Sequence, residues 1–235
     1  RKVMKNLIAS TIENLFNNYY LMKKIVIIAA LILTSTAVYS QKSENLFNGK
    51  DLSNWNFVVK DNNVPASEVF TVRDGLIHIS GQPFGYMYTK KKYSNFKLHV
   101  EWRWPVQQEK SNSGIFLLIE EAKNPFPNGI ECQLQEGNAG DFIMLGGSKL
   151  MEYQKKPGDE KSPRFPRLNK NNPSSEKPFG EWNAANIFVR DGVITVFING
   201  VYQNMGTNPN REGYVALQSE GKQVEFRNVT ISALD

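Results

Sequence analysis

The sequence has few of the residues that build disulfides or zinc sites. Its 235 residues include one cysteine, Cys132, and two histidines, His78 and His99. A single cysteine cannot form an internal disulfide, and three such residues are too few for the usual Cys/His zinc site. These counts do not exclude a site for a divalent cation with oxygen ligands.

Most of the chain also lacks an excess of positive charge. The formal net charge is +5, but residues 1–40 carry five basic residues against one acidic residue, which leaves +1 for residues 41–235. A nearly neutral domain has no basic surface for a phosphate backbone. We therefore expect no nucleic-acid partner.

The apolar run near the start of the chain is too short to span a bilayer comfortably, which takes about 20 apolar residues. Lys23 and Lys24 precede the run Ile25–Leu33, and small or polar residues follow up to Ser40. This order is typical of a secretory signal peptide. It predicts cleavage near Ser40, a periplasmic or secreted protein, and no stable membrane span after cleavage.

The predicted organisation is an upstream extension and signal peptide in residues 1–40 and a single domain in residues 41–235. Residues 1–21 precede a better start at Met22. They indicate a start site assigned too early, and a signal anchor with a short cytoplasmic tail is the alternative.

Helical periodicity is missing after residue 40, where short stretches of alternating apolar and polar residues are separated by turn residues. The pairs Asp74-Gly75, Asp191-Gly192 and Asn199-Gly200 suit tight hairpins, because glycine accepts a positive φ. The pattern predicts an all-β, two-sheet antiparallel β-sandwich, preceded by a helical signal segment. Candidate strands are 70–72, 76–79, 96–104, 114–120, 129–135, 142–145, 187–189, 193–198, 213–218 and 223–232.

Residues 150–180 interrupt this rhythm with five prolines and many Lys, Asn and Ser residues. A loop of about 30 residues is long for a compact domain. It is interpreted either as a lid or rim over one sheet or as a plain surface excursion.

Five segments, in this order along the chain, carry a resemblance to a known family. They are Leu46–Trp55, Asn112–Phe116, Gly129–Gln133, Glu181–Asn183 and Val224–Ile231. Together they resemble the 3-keto-disaccharide hydrolase family. The resemblance implies a concanavalin-like jelly roll and an exported bacterial protein that acts on a glycoside or disaccharide oxidised at the sugar 3-position. Some members of that family are lyases that cleave by elimination.

Alternation along two strands predicts the candidate catalytic residues. Glu131 shares one face of its strand with Gln133, and Glu101 shares one face of another strand with His99 and Arg103. We expect these polar sets to meet on one concave sheet face. There Glu131 is the expected general base for the proton at C2, which a ketone at C3 acidifies, and Glu101 or Arg103 would supply orientation and charge.

Two other interpretations of the same residues stay open. Glu101 and Glu131 could be the two carboxylates of an ordinary glycosidase, at about 5 to 9.5 Å from each other. Glu131 and Arg103 could instead form a cross-strand ion pair without a catalytic role.

Several further residues are candidates for binding substrate. They carry amide, aromatic or imidazole groups that can contact a sugar: Gln133, Asn112, Trp182, Asn183, Tyr86, Gln218 and His99. The alternative function is a non-catalytic carbohydrate-binding module, because jelly rolls also bind glycans without cleaving them.

Overall fold

The structure is a computed structural model that describes residues 43–106, 111–155 and 165–234. The predicted signal segment and cleavage site lie outside the described residues. Fifteen strands are present in the described part, with a single helix, α1 (Ala66–Val69), between the second and third strands. The strands are β1 (Ser43–Asn45), β2 (Trp55–Val59), β3 (Phe70–Arg73), β4 (Leu76–Ile79), β5 (Gly85–Thr89), β6 (Phe96–Arg103), β7 (Gly114–Ile119), β8 (Gly129–Gln133), β9 (Phe142–Leu145), β10 (Arg167–Leu168), β11 (Asn183–Arg190), β12 (Val193–Ile198), β13 (Val201–Thr207), β14 (Tyr214–Ser219) and β15 (Val224–Ala233).

The strands form two antiparallel sheets, which confirms the predicted all-β sandwich. Sheet 1 has the order β13-β12-β11-β6-β15-β4-β3, with β1 paired to β15. Sheet 2 has the order β10-β9-β8-β7-β14-β5-β2. Neighbours in each sheet are often far apart in sequence, so long-range pairing decides which sheet a strand joins.

The apolar sides of the alternating strands pack against each other between the sheets. Leu98, Val100 and Trp102 of β6 are fully buried in the same cluster as Ile130 and Cys132 of β8. Burial of this apolar area is the main force that holds the sheets together. The intervening residues of β6 and β8 therefore point away from the core, on opposite sides of the sandwich.

The three predicted hairpin turns adopt the required backbone. Asp74 and Gly75 have φ values of 52° and 73°, and Asp191 and Gly192 have values of 49° and 83°. Asn199 and Gly200 have values of 50° and 81°. Two consecutive positive φ angles match the twist of the flanking strands, which explains the Asp-Gly and Asn-Gly pairs.

The proline-rich segment 150–180 is attached to both sheets where it is described. Arg167 and Leu168 form β10, which pairs with β9 at the edge of sheet 2. Farther on, the Asn171 amide donates to the Gln203 carbonyl, and the Ser175 hydroxyl donates to the Ile198 carbonyl. The segment thus contributes an edge strand, a role that its composition did not predict.

In residues 43–106, 111–155 and 165–234, no helix has the length and apolar character needed to cross a bilayer.

Candidate functional site

Sheet 2 brings several polar and aromatic residues together on the face turned away from the core, which we call the site face. It comprises Tyr86, Gly114, Phe116, Glu131, Gln133, Ile143, Arg167 and Gln218. Glu131 pairs with Phe116 on one side and Ile143 on the other. In the adjacent row Gln133 pairs with Gly114, and Gln218 pairs with Tyr86. Register therefore brings the amide, phenol and carboxyl groups together.

The missing side chain at Gly114 makes room for the Glu131 carboxyl group. A Cβ at position 114 would lie 2.4 Å from Glu131 Oε1 and 2.9 Å from its Cδ. Atoms cannot approach this closely, so any larger residue would displace the carboxyl group. The glycine of the Asn112-Ser113-Gly114 sequence is thus explained by a side chain that folds over it.

Four buried oxygen atoms of this region have no hydrogen-bond partner among the described residues. They are Glu131 Oε1, Gln218 Oε1, Asn112 Oδ1 and the Tyr86 hydroxyl. Each unsatisfied buried polar group costs about 1–3 kcal/mol, and native proteins retain few of them. Several such groups in adjacent rows of one face indicate a site prepared for a polar ligand.

The chemistry of these groups fits a sugar. The two amide oxygens can accept hydrogen bonds from hydroxyl groups, and Tyr86 can donate to a carbonyl oxygen. Burial raises the pKa of the Tyr86 phenol, so it keeps its proton for donation. The Gln133 Oε1 accepts from the backbone N–H of Leu134 and Gln135, which leaves its NH₂ group as the donor.

Glu131 is the titratable group at the centre of the site face. It is only 3% exposed, and this burial raises its pKa well above the ordinary glutamate value. The charge of Glu220 adds to the shift, while that of Arg167 opposes it. Glu131 therefore favours its protonated form, in which it can donate a proton.

Arg167 reaches the site because β10 forms the edge of sheet 2. Its Nε donates to Asp141 Oδ2 at 2.5 Å, and Asp141 Oδ1 also accepts from the Lys170 backbone N–H. Asp141 is buried, so this pairing fixes the guanidinium beside β9. The positive charge near Glu131 is held in place by a structural carboxylate.

The expectation that Glu101, Arg103 and His99 share a face with Glu131 is wrong. They lie on β6, between β11 and β15 of sheet 1, whereas Glu131 lies on β8 of sheet 2. Since the sheets are about 10 Å apart and the side chains point outward, the two glutamates are beyond any glycosidase spacing. Arg103 is likewise not the ion-pair partner of Glu131.

These three residues instead belong to an ion-pair network on the outward side of sheet 1, which we call the network face. Its members are His78, His99, Glu101, Arg103, Trp182, Asn186, Glu225, Arg227 and Asn228. Arg103 Nε donates to Glu225 at 2.6 Å, and Arg227 Nε donates to Glu101 at 2.6 Å. His99 Nδ1 contacts Asn186 Oδ1 at 3.0 Å.

Trp182 and Asn183 are also placed away from the site face. The guanidinium carbons of Arg103 and Arg227 lie 4.7 and 4.0 Å from the Trp182 ring centroid. Asn183 pairs with Trp102 in sheet 1 and is buried. Its Oδ1 accepts from the Lys177 backbone N–H and from the Asn199 amide, so it anchors the preceding loop.

The described residues bring together no group of three or more His, Cys, Asp or Glu side chains that could hold a metal ion. Glu131 faces Glu220 and the positively charged Arg167, and a cation would be repelled by the latter. The His, Cys, Asp and Glu side chains of the described residues therefore give no support to the divalent cation considered from the sequence.

Sequence reasoning missed two residues of this region, Glu220 and Arg167. Glu220 lies two positions after Gln218 and just beyond β14, so continued alternation could have placed it on the same side as Gln218. Arg167 lies in a proline-rich segment without periodicity, and no local pattern indicates that it joins a sheet.

The comparisons with known proteins were consistent with this architecture. A family model described as the 3-keto-alpha-glucoside-1,2-lyase-like domain matches residues 42–232. A relative from Bacteroides thetaiotaomicron, named 3-keto-disaccharide hydrolase, is 26% identical over 236 residues. That match covers 81% of this chain and 78% of the relative.

Two solved structures share the fold. One comes from Parabacteroides distasonis and is provisionally assigned as a glycosyl hydrolase, with 24% identity, a TM-score of 0.59 and coverage of 82% of this chain and 94% of that one. The other is the carbohydrate-binding module CBM66 from Bacillus subtilis, with 9% identity, a TM-score of 0.55 and coverage of 77% and 96%. The predicted concanavalin-like sandwich is confirmed. Because the family model spans most of the sequence, the chain belongs to the 3-keto-alpha-glucoside-1,2-lyase-like domain family.

Proposed function

We propose that this protein cleaves glycosides whose sugar has been oxidised to a ketone at C3, and that cleavage takes place on the site face. Family membership and the named relative support the broader statement that it is a carbohydrate-active hydrolase. The observation that carries the finer proposal is the cluster of unpartnered buried polar atoms next to Glu131.

The chemistry of a 3-keto-glycoside matches these groups. The ketone acidifies the proton at C2, so removal of that proton can expel the substituent at C1 and form a C1–C2 double bond. Negative charge develops on the C3 oxygen during this step. Tyr86 and the Gln133 NH₂ group are donors that can stabilise it in a buried site.

Glu131 is best suited to protonate the leaving oxygen. Sequence analysis gave it the role of general base, but its burial and raised pKa favour a protonated carboxyl group, which is an acid. After the glycosidic bond breaks, the Glu131 carboxylate can take a proton from water that adds at C1. Elimination followed by hydration gives net hydrolysis.

The direct test is sugar release from a 3-keto-disaccharide by the purified domain. We expect wild type to release both sugars and the Glu131→Gln variant to lose about 10²-fold or more in rate. The variant should still bind substrate in calorimetry, because its shape is unchanged. Binding of a glycan without any release by wild type would favour the carbohydrate-binding module instead and overturn the proposal.

We also propose that the domain is exported, which the signal-peptide pattern of residues 22–40 supports. Expression of the full chain in a bacterial host should place the protein in the periplasm or medium with Gln41 as its first residue. N-terminal sequencing of the recovered protein is the measurement, and an uncleaved cytoplasmic product would contradict the proposal.

A further inference from the structure

We infer that Glu220 is the second catalytic carboxylate of the site, the base that removes the C2 proton while Glu131 protonates the leaving oxygen. The inference rests on the proposed function and adds a residue that neither the sequence motifs nor the comparisons assign. It follows from the position of Glu220 beside β14, from its hydrogen bond to Gln218, and from the effect of its negative charge on Glu131.

The backbone places Glu220 next to Asn112, at one end of the site face. Asn112 and Glu220 form an isolated antiparallel bridge just beyond the end of β14. Ser113, next to Asn112, donates its hydroxyl proton to the Gln218 carbonyl, which fixes the two segments against each other. Glu220 is thus held next to Asn112, whose Oδ1 is one of the unpartnered atoms.

The side chains link Glu220 to the rest of the site. Gln218 Nε2 donates to Glu220 Oε2 at 2.7 Å, and Gln218 Oε1 is buried without a partner. The amide therefore holds the carboxylate with one end and leaves its oxygen for a substrate hydroxyl. Gln218 is 1% exposed, so this orientation is set by a buried group rather than a mobile surface side chain.

Two other acidic residues that are at least partly buried have partners of their own. Asp141 accepts from Arg167 and from the Lys170 backbone, and Glu176 accepts from Ser174 and the Ala139 backbone. Among the described carboxylates, Glu220 is the one whose negative charge raises the pKa of Glu131. It is therefore the carboxylate best placed to work together with Glu131.

The two environments separate the roles of acid and base. Glu131 is buried and its Oε1 has no hydrogen-bond partner in the described part of the chain, so its charged form is disfavoured most strongly. Burial also raises the pKa of Glu220, but the Gln218 hydrogen bond stabilises its charged form. When the pair carries one proton, the proton stays on Glu131 and Glu220 is ionised.

One shared proton balances the whole reaction. Glu220 takes the C2 proton, the electron pair forms the C1–C2 double bond, the C1–O bond breaks, and the Glu131 proton goes to the leaving oxygen. The pair then has its proton on Glu220 and its charge on Glu131. Water adds at C1 as Glu131 takes its proton, and Glu220 returns a proton to C2, which restores the starting state.

The dependence on the leaving group tests this division of labour. Two 3-keto-glucosides are compared, one that releases p-nitrophenol, which needs no protonation, and one that releases methanol, which does. We expect Glu131→Gln to lose about 10²-fold or more on the methyl substrate and far less on the nitrophenyl substrate. Glu220→Gln should lose about 10²-fold or more on both substrates.

Two further variants complete the experiment. Glu212→Gln removes an exposed carboxylate just before β14 and should match wild type on both substrates. Glu220→Asp keeps a base but withdraws it by one methylene, so its activity should fall between those of wild type and Glu220→Gln. Thermal melting of each variant separates loss of a catalytic group from loss of folding.

The outcomes distinguish this inference from the proposed function. If wild type cleaves both substrates and a folded Glu220→Gln behaves like Glu212→Gln, Glu220 is not the base and the inference alone fails. A Glu220→Gln variant that spares only the nitrophenyl substrate would also overturn it, because Glu220 would then be the acid. If wild type cleaves neither substrate, the proposed function itself fails.

Discussion

The two outward faces of the sandwich use the same kinds of residue in opposite ways. On the network face, Glu101 accepts from Arg227 and Asn228, and Glu225 accepts from Arg103 and contacts His78. On the site face, polar oxygens of Glu131 and its neighbours lack partners among the described residues and are buried. Strand alternation produced both faces, yet one is satisfied within the protein and the other is not.

This contrast separates a structural role from a functional one. A satisfied ion-pair network contributes to stability and leaves little capacity for a ligand. An unsatisfied buried carboxyl group lowers stability and persists where binding or catalysis requires it. The pKa shifts agree with this view: hydrogen bonds from Asn228 and Arg227 outweigh burial and lower the pKa of Glu101, whereas burial raises that of Glu131.

The largest expected difference between the faces is in activity. Glu131→Gln should lower kcat/KM on a 3-keto-disaccharide by about 10²-fold or more, because it removes a proton donor. Glu101→Gln on the network face should change kcat/KM by less than about threefold. Steady-state kinetics on the two purified variants make the comparison, and equal losses would mean that the site face has been assigned wrongly.

Gly114→Ala tests whether the site face depends on the space beside Glu131. Its Cβ would meet the Glu131 carboxyl group, so we expect at least a tenfold loss of kcat and a destabilisation of about 1–3 kcal/mol. Gly206→Ala in β13 is the matched control, because its Cβ would meet apolar side chains only, Leu150 at 3.1 Å and Phe142 at 3.4 Å. Wild-type activity in Gly114→Ala would show that the carboxyl position is unimportant.

Glu225→Ala should destabilise the protein without affecting catalysis. It removes the carboxylate partner of Arg103 and of the buried His78, which keeps its contacts with Arg73. A loss of about 1–3 kcal/mol is expected, which lowers Tm by about 2–4 °C per kcal/mol in a domain of this size. Calorimetry measures the loss of stability, and kinetics on the same sample measure kcat. A large fall in kcat at unchanged Tm would contradict the structural role.

The contributions of Glu131 and Glu101 to stability should change in opposite directions as pH rises. The raised pKa of Glu131 means that the folded state keeps a proton that the unfolded state releases, so this residue costs stability as pH rises above about 4.5. Glu131→Gln should therefore raise Tm relative to wild type at pH 8, with a gain that disappears near pH 4. The lowered pKa of Glu101 predicts that Glu101→Gln lowers Tm at pH 7, with a loss that shrinks as pH falls. Melting curves from pH 4 to 8 measure both, and parallel profiles would refute the contrast.

The smallest effect is expected for Trp182→Ala on the network face. The ring makes cation–π contacts with the guanidinium groups of Arg103 and Arg227. Each such contact contributes about 0.5–1 kcal/mol to stability at an exposed site. KM for the sugar substrate should remain unchanged. A tenfold rise in KM would instead mean that Trp182 contacts substrate, as the sequence analysis expected.

Local sequence patterns predicted the three turns and ten of the fifteen described strands, but they missed β1, β2, β5, β10 and β13. The alternation in β6 and β8 and the Asp-Gly pairs are short-range signals, and each corresponds to a feature of the structure. The placement of Glu131 and Gln133 on one side of their strand also followed from alternation, whereas Tyr86 and Gln218 were expected near the site only for their aromatic and amide groups. Their roles in the reaction stay predictions until the variants above are measured.

Sheet membership was the step that the sequence could not supply. β6 and β8 have the same alternating pattern, but β6 pairs with β11 and β15, which follow it by more than 75 residues. Nothing within β6 specifies these partners, so Glu101 and Glu131 were assigned to one face. Arg167 shows the same limit, since a two-residue strand is defined by its pairing with β9 rather than by its own sequence.

The placement of Cys132 provides a built-in reporter for this region. Its side chain points into the core directly behind Glu131, it is fully buried, and burial raises the pKa of the thiol. A thiol reagent in solution can reach it only when β8 detaches from its neighbours. The labelling rate of the native protein therefore measures how often β8 detaches from the sheet. A bound sugar that stabilises β8 in the sheet should slow the labelling.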